Sequence, residues 1–190
     1  AYNIGIGFNA GTAITTGTFN TIIGGNAGDA LTTSVHNVAL GYQALSAEDT
    51  NSYNTALGFQ ALLVQDGGQL NTAVGYKAGD SVTDGSNNTL IGAGAGDALT
   101  SGVNNICVGQ ASGLVLTTGN NNVYIGKSAA VANTTQGNNV AIGGESMGVA
   151  GGHASTAVGY FAMNAASSQN SVAVGAYALR TGSNHYNVAV

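Results

Sequence analysis

A five-position pattern of polar and apolar residues returns along the whole chain. It runs amide, β-branched, small, aliphatic, glycine, as in Asn71-Thr72-Ala73-Val74-Gly75. The closing glycine falls at Gly7, Gly24, Gly41, Gly58, Gly75, Gly92, Gly109, Gly126 and Gly143, seventeen residues apart, then at Gly159 and Gly175, sixteen apart. Asn187-Val188-Ala189-Val190 is a twelfth copy, cut one residue before its glycine. A fixed short period means a solenoid or repeat array. Within each copy, period-two alternation with β-branched enrichment predicts a short strand that the glycine ends.

Aligned on that glycine, the copies form columns. Four positions before it stand Asn3, Asn20, Asn37, Asn54, Asn71, Asn88, Asn105, Asn122, Asn139 and Asn187, with Ser155 and Ser171 in the two remaining copies. Three before it every residue is β-branched, two before it most are Ala, and one before it all are Val, Ile or Leu. A second column of small residues, among them Ala10, Ala44, Ala78, Ser112 and Ser146, follows three positions after the glycine and implies close packing. A loop rich in Thr, Asp and Gly closes each copy. One coil therefore reads as strand, glycine corner, second short strand and polar turn.

The expected fold is all-β, a parallel β-roll or β-solenoid of 16–17-residue coils. Residues 1–190 form one array of about eleven coils and a truncated twelfth. At the usual strand separation of about 4.8 Å the stack spans roughly 50 Å. Stacked amides can bond to the copies above and below and to the turn backbone, which offsets the cost of burying them. Turn-forming asparagine alone accounts poorly for a fixed position in ten copies of twelve. Asn20, Asn37, Asn54, Asn71, Asn88, Asn105, Asn122 and Asn139 are thus expected to form a structural ladder. On the first strand, Ala and Asn point one way and the Val/Ile positions the other; one face should fill the coil and the other meet a partner. Repeat arrays need polar caps at their ends, and none is visible. The chain, which starts without Met, therefore reads as a piece of a longer protein whose copies share a core.

Composition narrows the function. Only 6% of residues are charged, the formal net charge is −5, and Lys77, Lys127 and Arg180 are the only fixed cations, against 31 glycines and no proline. That balance gives no electrostatic footprint for nucleic acid or an anionic membrane. No apolar run approaches the roughly 18 residues of a membrane span. Absence of Pro suits a chain whose amides enter ladders. Cys107, the only cysteine, has no intrachain partner.

The segments Asn37-Val38-Ala39-Leu40-Gly41-Tyr42-Gln43-Ala44-Leu45, Asn54-Thr55-Ala56-Leu57-Gly58-Phe59-Gln60-Ala61-Leu62 and Asn71-Thr72-Ala73-Val74-Gly75-Tyr76-Lys77-Ala78-Gly79 resemble a known repeat. They are similar to the head repeats of trimeric autotransporter adhesins of the YadA type, and more closely to the slightly longer version in bacteriophage tail fibres. The resemblance covers essentially the whole chain. It implies a left-handed β-roll, a homotrimer, and an extracellular fibre, on a virion tail or a cell surface, that attaches to a cell-surface glycan or protein receptor. Handedness and threefold number come from the resemblance alone. Gly144-Glu145-Ser146-Met147 and Gly151-Gly152-His153 depart from the pattern where the period shortens.

Candidate sites are few. Tyr42, Phe59 and Tyr76 share a column and are candidate glycan contacts, although aromatic stacking that supports the coil or the chain–chain groove is the stronger reading. Phe19, His36 and Tyr53 form another such run, while His153 and His185 fall in loops and read as solvated. Asp29, Asp80 and Asp97 share a turn position where two carboxylates could hold Ca²⁺, but calcium needs six or more oxygens, so turn capping is favoured. Cys107 replaces Ala and reads as a small buried hydrophobe, with the alternative that three copies meet in a trimer. Gly92-Ala93-Gly94-Ala95-Gly96 lacks the Lys-Ser/Thr and the helix of a phosphate loop. Nothing arranges Ser, His and Asp as a triad, and no catalytic, cofactor or metal residue is expected. The pairs Thr15-Thr16, Thr32-Thr33, Thr117-Thr118 and Thr134-Thr135 raise an ice-binding face, interrupted by Asp49, Asp66 and Gly151. The expected function is a non-enzymatic attachment fibre, with an adhesin head as the nearest alternative and an ice-binding solenoid or the shaft of an enzyme-bearing tailspike behind it.

Overall fold

The computed structural model describes residues 2–47, 50–149, 152–166, 168–182 and 185–190. Twelve short strands, one per copy of the pattern, stack in chain order into one parallel sheet, from Ile4–Ile6 through Thr72–Val74 to Val188–Ala189. Register follows the sequence period: Thr55 pairs with Thr72, Ala56 with Ala73 and Leu57 with Val74. The protein is thus an all-β parallel solenoid with coils of about seventeen residues and no helix among the described residues.

Each three-residue strand turns its middle side chain inward. Ala39, Ala56, Ala73, Leu90, Cys107, Tyr124 and Ala141 are fully buried in one continuous core. Opposite them stand the small column Ala44, Ala61, Ala78 and Ala95 and the residue that follows each. Those following residues fill the coil by exchange of volume. Where it is Leu45, Leu62, Met147 or Met163, the strand residue is Ala39, Ala56, Ala141 or Ala157. Where it is Gly28 or Gly96, the strand carries Ile22 or Leu90, and Leu31 or Leu99 enters from the closing turn. A Cβ added at Gly96 would lie 2.7 Å from Leu90 Cδ2, so the large strand side chain occupies the space the glycine leaves. Close-packed interiors demand such compensation.

The corner glycines are required by geometry. Gly92 has φ +132° and a Cβ there would stand 2.6 Å from the Gly109 carbonyl oxygen of the next coil. Only a residue without a side chain allows backbones to approach this closely.

The second short strand expected just after the corner does not form. Two and four positions past the glycine the backbone is left-handed, as at Gln43 (φ 53°), Leu45 (φ 54°), Gln60 (φ 54°) and Leu62 (φ 50°), and extended pairing needs negative φ. The alternation still serves the ladder. Gln43 N–H donates to the Gly25 carbonyl of the coil before (3.0 Å) and Leu45 N–H to the Ala61 carbonyl of the coil after (3.0 Å). These inter-coil bonds satisfy buried backbone groups and offset the cost of a left-handed side-chain-bearing residue. Among the described residues a second sheet appears only in the sixteen-residue coils, where Ala165–Ala166 pairs with Thr181–Gly182.

Candidate functional site

The asparagine column lies inside the coil and, from Asn20 to Asn122, forms two or three bonds per rung. The Asn88 N–H donates to Asn71 Oδ1 (2.9 Å), and Asn88 Nδ2 donates to the Gly102 carbonyl (2.9 Å), fourteen residues on in its own coil. The same backbone-to-Oδ1 bond joins Asn20, Asn37, Asn54, Asn71, Asn105, Asn122 and Asn139 to the preceding rung at 2.8–3.1 Å. From Asn20 to Asn122 each amide therefore ties one coil to the next and pins its own strand to its closing turn, whereas Asn139 Nδ2 is buried with no hydrogen-bond partner. Where the coil loses a residue, serine takes over. Ser155 N–H donates to Asn139 Oδ1 (3.0 Å) and Ser155 Oγ to the Ser168 carbonyl (3.0 Å), thirteen residues on.

Tyr42, Phe59 and Tyr76 stack with centroids 5.6 and 5.4 Å apart and planes within 18°. Each ring covers its neighbour, and Gly25 gives Tyr42 room, since a Cβ there would touch the ring at 3.4 Å. Within the stack, edges and hydroxyls face outward. Sugar rings pack on aromatic faces, and the faces between these three rings are taken. The second run is longer than its sequence signal. Tyr2, Phe19, His36 and Tyr53 stack at 5.3, 4.9 and 5.3 Å, with Phe19, His36 and Tyr53 all left-handed (φ 60–65°). Asn87, Asn104, Asn121 and Asn138 continue that column in the same conformation, which Asn tolerates better than most residues.

Between these columns lies the largest unpartnered feature, the outward face of the twelve-stranded sheet. Val38 and Leu40 are 40% exposed each, and Ile91 and Ile125 38% each, while the residue beside them in the middle of each strand is buried. Val, Ile and Leu, exposed or half-buried, and half-buried Thr thus form two outward columns along the stack.

The remaining candidates resolve individually. Cys107 points into the coil, between Leu90 and Tyr124 in the sheet, and burial pushes its thiol up to about 12. That orientation agrees with the reading as a small buried hydrophobe and speaks against the alternative that three copies of it meet across a trimer. Tyr124, the largest buried side chain, receives a hydrogen bond from Asn133 Nδ2 (3.0 Å), and burial raises its hydroxyl pKa. His153 and His185 are not simply solvated. Their Nδ1 atoms accept the Gly137 and Gln169 amides of the preceding coil at 3.2 and 3.1 Å, the place held by Ser52, Ser86 and Asn120 in earlier coils.

Asp29 accepts from Ser46 Oγ (2.8 Å) in the next coil. Burial first, and then the neighbouring Asp80 carboxylate, raise the Asp97 pKa to about 6, with Lys77 opposing. Lys77 Nζ stands 3.6 Å from Asp80 Oδ2. No cluster of three or more His, Cys, Asp or Glu residues suited to a metal ion occurs among the described residues. Thr15, Thr83, Thr100 and Thr117 donate their hydroxyls to carbonyls of the next coil (3.1–3.3 Å), so these hydroxyls brace the coil. Asp49 and Gly151, which interrupt the Thr columns, lie outside the described residues.

Comparison with family models, curated proteins and solved structures finds no match to this chain. One cluster was missed in the sequence: Tyr160, Phe161, Tyr177 and Arg180, brought together in the last coils. Its signal was present, because Phe161 and Tyr177 lie sixteen residues apart in one column, with Arg180 three residues after Tyr177.

Proposed function

We propose that this chain is a segment of an elongated, non-enzymatic, homotrimeric fibre, from a bacteriophage tail fibre or a similar extracellular appendage, that gives reach and attachment to a cell surface. One observation carries the reading. The single chain already fills its own interior, yet leaves two columns of Val, Ile, Leu and Thr exposed or half-buried along the twelve-stranded sheet. At about 25 cal/mol per Å² of apolar surface removed from water, a long face of this kind is a strong drive for association, and an exposed apolar patch of that extent marks an interface. Identical chains side by side meet along the same columns in every rung, so the favoured occupant is a second and third copy. Three chains and a left-handed coil follow from the resemblance to adhesin and tail-fibre repeats.

The ladders suit a stiff shaft. Each coil is tied to its neighbours by the strand pairs, the Asn amides and the left-handed turn amides, so bending the rod strains many bonds at once. Three identical chains presenting the same weak contacts gain avidity from modest single-site affinity. Small-angle X-ray scattering of the purified chain tests the reading. A rod roughly 50 Å long, with three chains in cross-section, is expected; a compact single chain overturns it. The chain alone is also expected to release no sugar from polysaccharides, and turnover by these residues would overturn the non-enzymatic assignment.

A further inference from the structure

The last coils carry a cluster unlike anything below it in the array. Phe161 and Tyr177 occupy the left-handed column that holds Asn9, Asn26, Gln43, Gln60 and Lys77 earlier in the chain (φ 56° and 60°). Their rings stack at 5.6 Å and 4°. Tyr160 meets them edge-on, 4.4 Å from Phe161 and 5.8 Å from Tyr177. The Arg180 guanidinium lies over both stacked rings, at 5.7 Å from Phe161 and 5.5 Å from Tyr177. Polar side chains serve the fold at this column elsewhere, so coil formation does not require the aromatic pair.

Arg180 is the only arginine in an acidic chain. The one ion pair among the described residues is Lys77 with Asp80. The Arg180 backbone is fixed on both sides, with its N–H donating to the Tyr177 carbonyl (3.2 Å) and its carbonyl accepting from Ala165 N–H (2.8 Å). Cation–π contact with two rings favours this position of the fork. A fork held this way loses little freedom when it takes a carboxylate through two parallel N–H bonds. Tyr160 and Tyr177, each about half exposed, supply hydroxyls and ring edges beside it. Glu145, one coil before Phe161 in the same column, is the acidic group that opposes an incoming anion there.

We propose that Arg180, seated on Phe161 and Tyr177 and flanked by Tyr160, binds a carboxylate-bearing sugar of a cell-surface glycan. This deepens the attachment reading and rests on it for biological sense, while the chemistry stands on the cluster. A neutral sugar offers the guanidinium no charge partner, and the surrounding array, with its net charge of −5, does not draw anions by itself.

The probe is trigalacturonate, with its fully methyl-esterified form as the neutral counterpart of the same shape, titrated calorimetrically into the chain in whatever oligomeric state light scattering reports for the same sample. The acid is expected to bind and the ester to bind at least about tenfold more weakly, as loss of a charge-assisted pair implies. Arg180→Gln should cost a similar factor, and Glu145→Gln should tighten binding. Phe161→Gln, which installs the residue found at Gln43 and Gln60 and so keeps the coil, should weaken it by several-fold. Equal binding of acid and ester, an Arg180→Gln variant that binds like the parent, or no binding of the acid at millimolar concentration would each overturn the proposal. A three-chain rod that ignores the acid overturns this site alone. A monomer that binds it supports the site and overturns the fibre.

Discussion

Asn88 shows how much one rung contributes. Its side chain is buried and takes part in four hydrogen bonds: Oδ1 accepts from the Asn105 N–H (2.9 Å) and Nδ2 (3.1 Å), and Nδ2 donates to the Gly102 carbonyl (2.9 Å) and Asn71 Oδ1 (3.1 Å). In Asn88→Ala two neighbours recover, because Asn105 Nδ2 keeps the Gly119 carbonyl and Asn71 Oδ1 keeps the Asn88 N–H. Two do not: the Asn105 N–H and the Gly102 carbonyl lose the bonds that Asn88 supplied. At about 1–3 kcal/mol for each buried group left unsatisfied, the loss is about 2–6 kcal/mol, a large share of the roughly 5–15 kcal/mol that holds a domain folded. Asn88→Ser should recover about half, since Ser155 and Ser171 still accept the next rung's N–H through Oγ. Denaturant unfolding gives the total, and hydrogen exchange at amide 105 locates it, because a repeat array opens locally before it unfolds. If Asn88→Ala stays within about 0.5 kcal/mol of the parent, the range of a neutral surface change, and amide 105 exchanges at the parent rate, the reasoning about the ladder fails.

Gly92→Ala places a Cβ 2.6 Å from the Gly109 carbonyl oxygen at φ +132° and should cost about 3 kcal/mol or more, read as a fall in the unfolding midpoint; an unchanged midpoint contradicts the close coil approach. Asp97 holds its proton more tightly folded (about 6) than at its ordinary 3.8, so its contribution is complete below pH about 4 and lost as pH rises through about 6. Asp97→Asn should remove that fall in stability, and a parent whose stability rises over the same window contradicts the assignment. Cys107, buried with a thiol pushed up to about 12, should resist a thiol reagent at pH 8 until the chain is unfolded; prompt labelling of the native protein would place it outside the coil. Ile91→Asp, on the outward face, should break chain association while leaving the strand signal in circular dichroism intact. A variant that still associates as the parent does would show that another face makes the contact.

The period, the strands and the Asn and Ala columns were legible because each reports a contact repeated every rung, and repetition amplifies a weak local signal into a column; alternation put Asn and Ala on one face, and only their burial shows that this face fills the coil. The turn after the glycine was not. Gln43 and Leu45 look like strand residues by alternation, and what excludes a strand is the sign of φ. Hydrophobic pattern does not record that sign. A trace of it was there in Asn9, Asn26, Gly11 and Gly28, residues that accept left-handed backbone in the same columns. The exchange of volume between Leu90 and Gly96, or Ala56 and Leu62, becomes visible only when two columns are compared coil by coil. The Arg180 cluster lies in register with the earlier columns, but its members come from three columns, one, two and five positions after the glycine, whose earlier members are mostly not aromatic or cationic, so no single column announces it. Handedness and chain number leave no mark in such columns, since either hand and any number of chains put the same residues in line.

Light scattering coupled to size-exclusion chromatography at micromolar concentration tests the outward strand face most directly. A mass three times the chain's 18.6 kDa, with an elution earlier than a compact protein of that mass, is the expected result. A stable, monodisperse single chain would mean that the exposed Val, Ile and Leu columns need no cover, and would contradict the shared fibre.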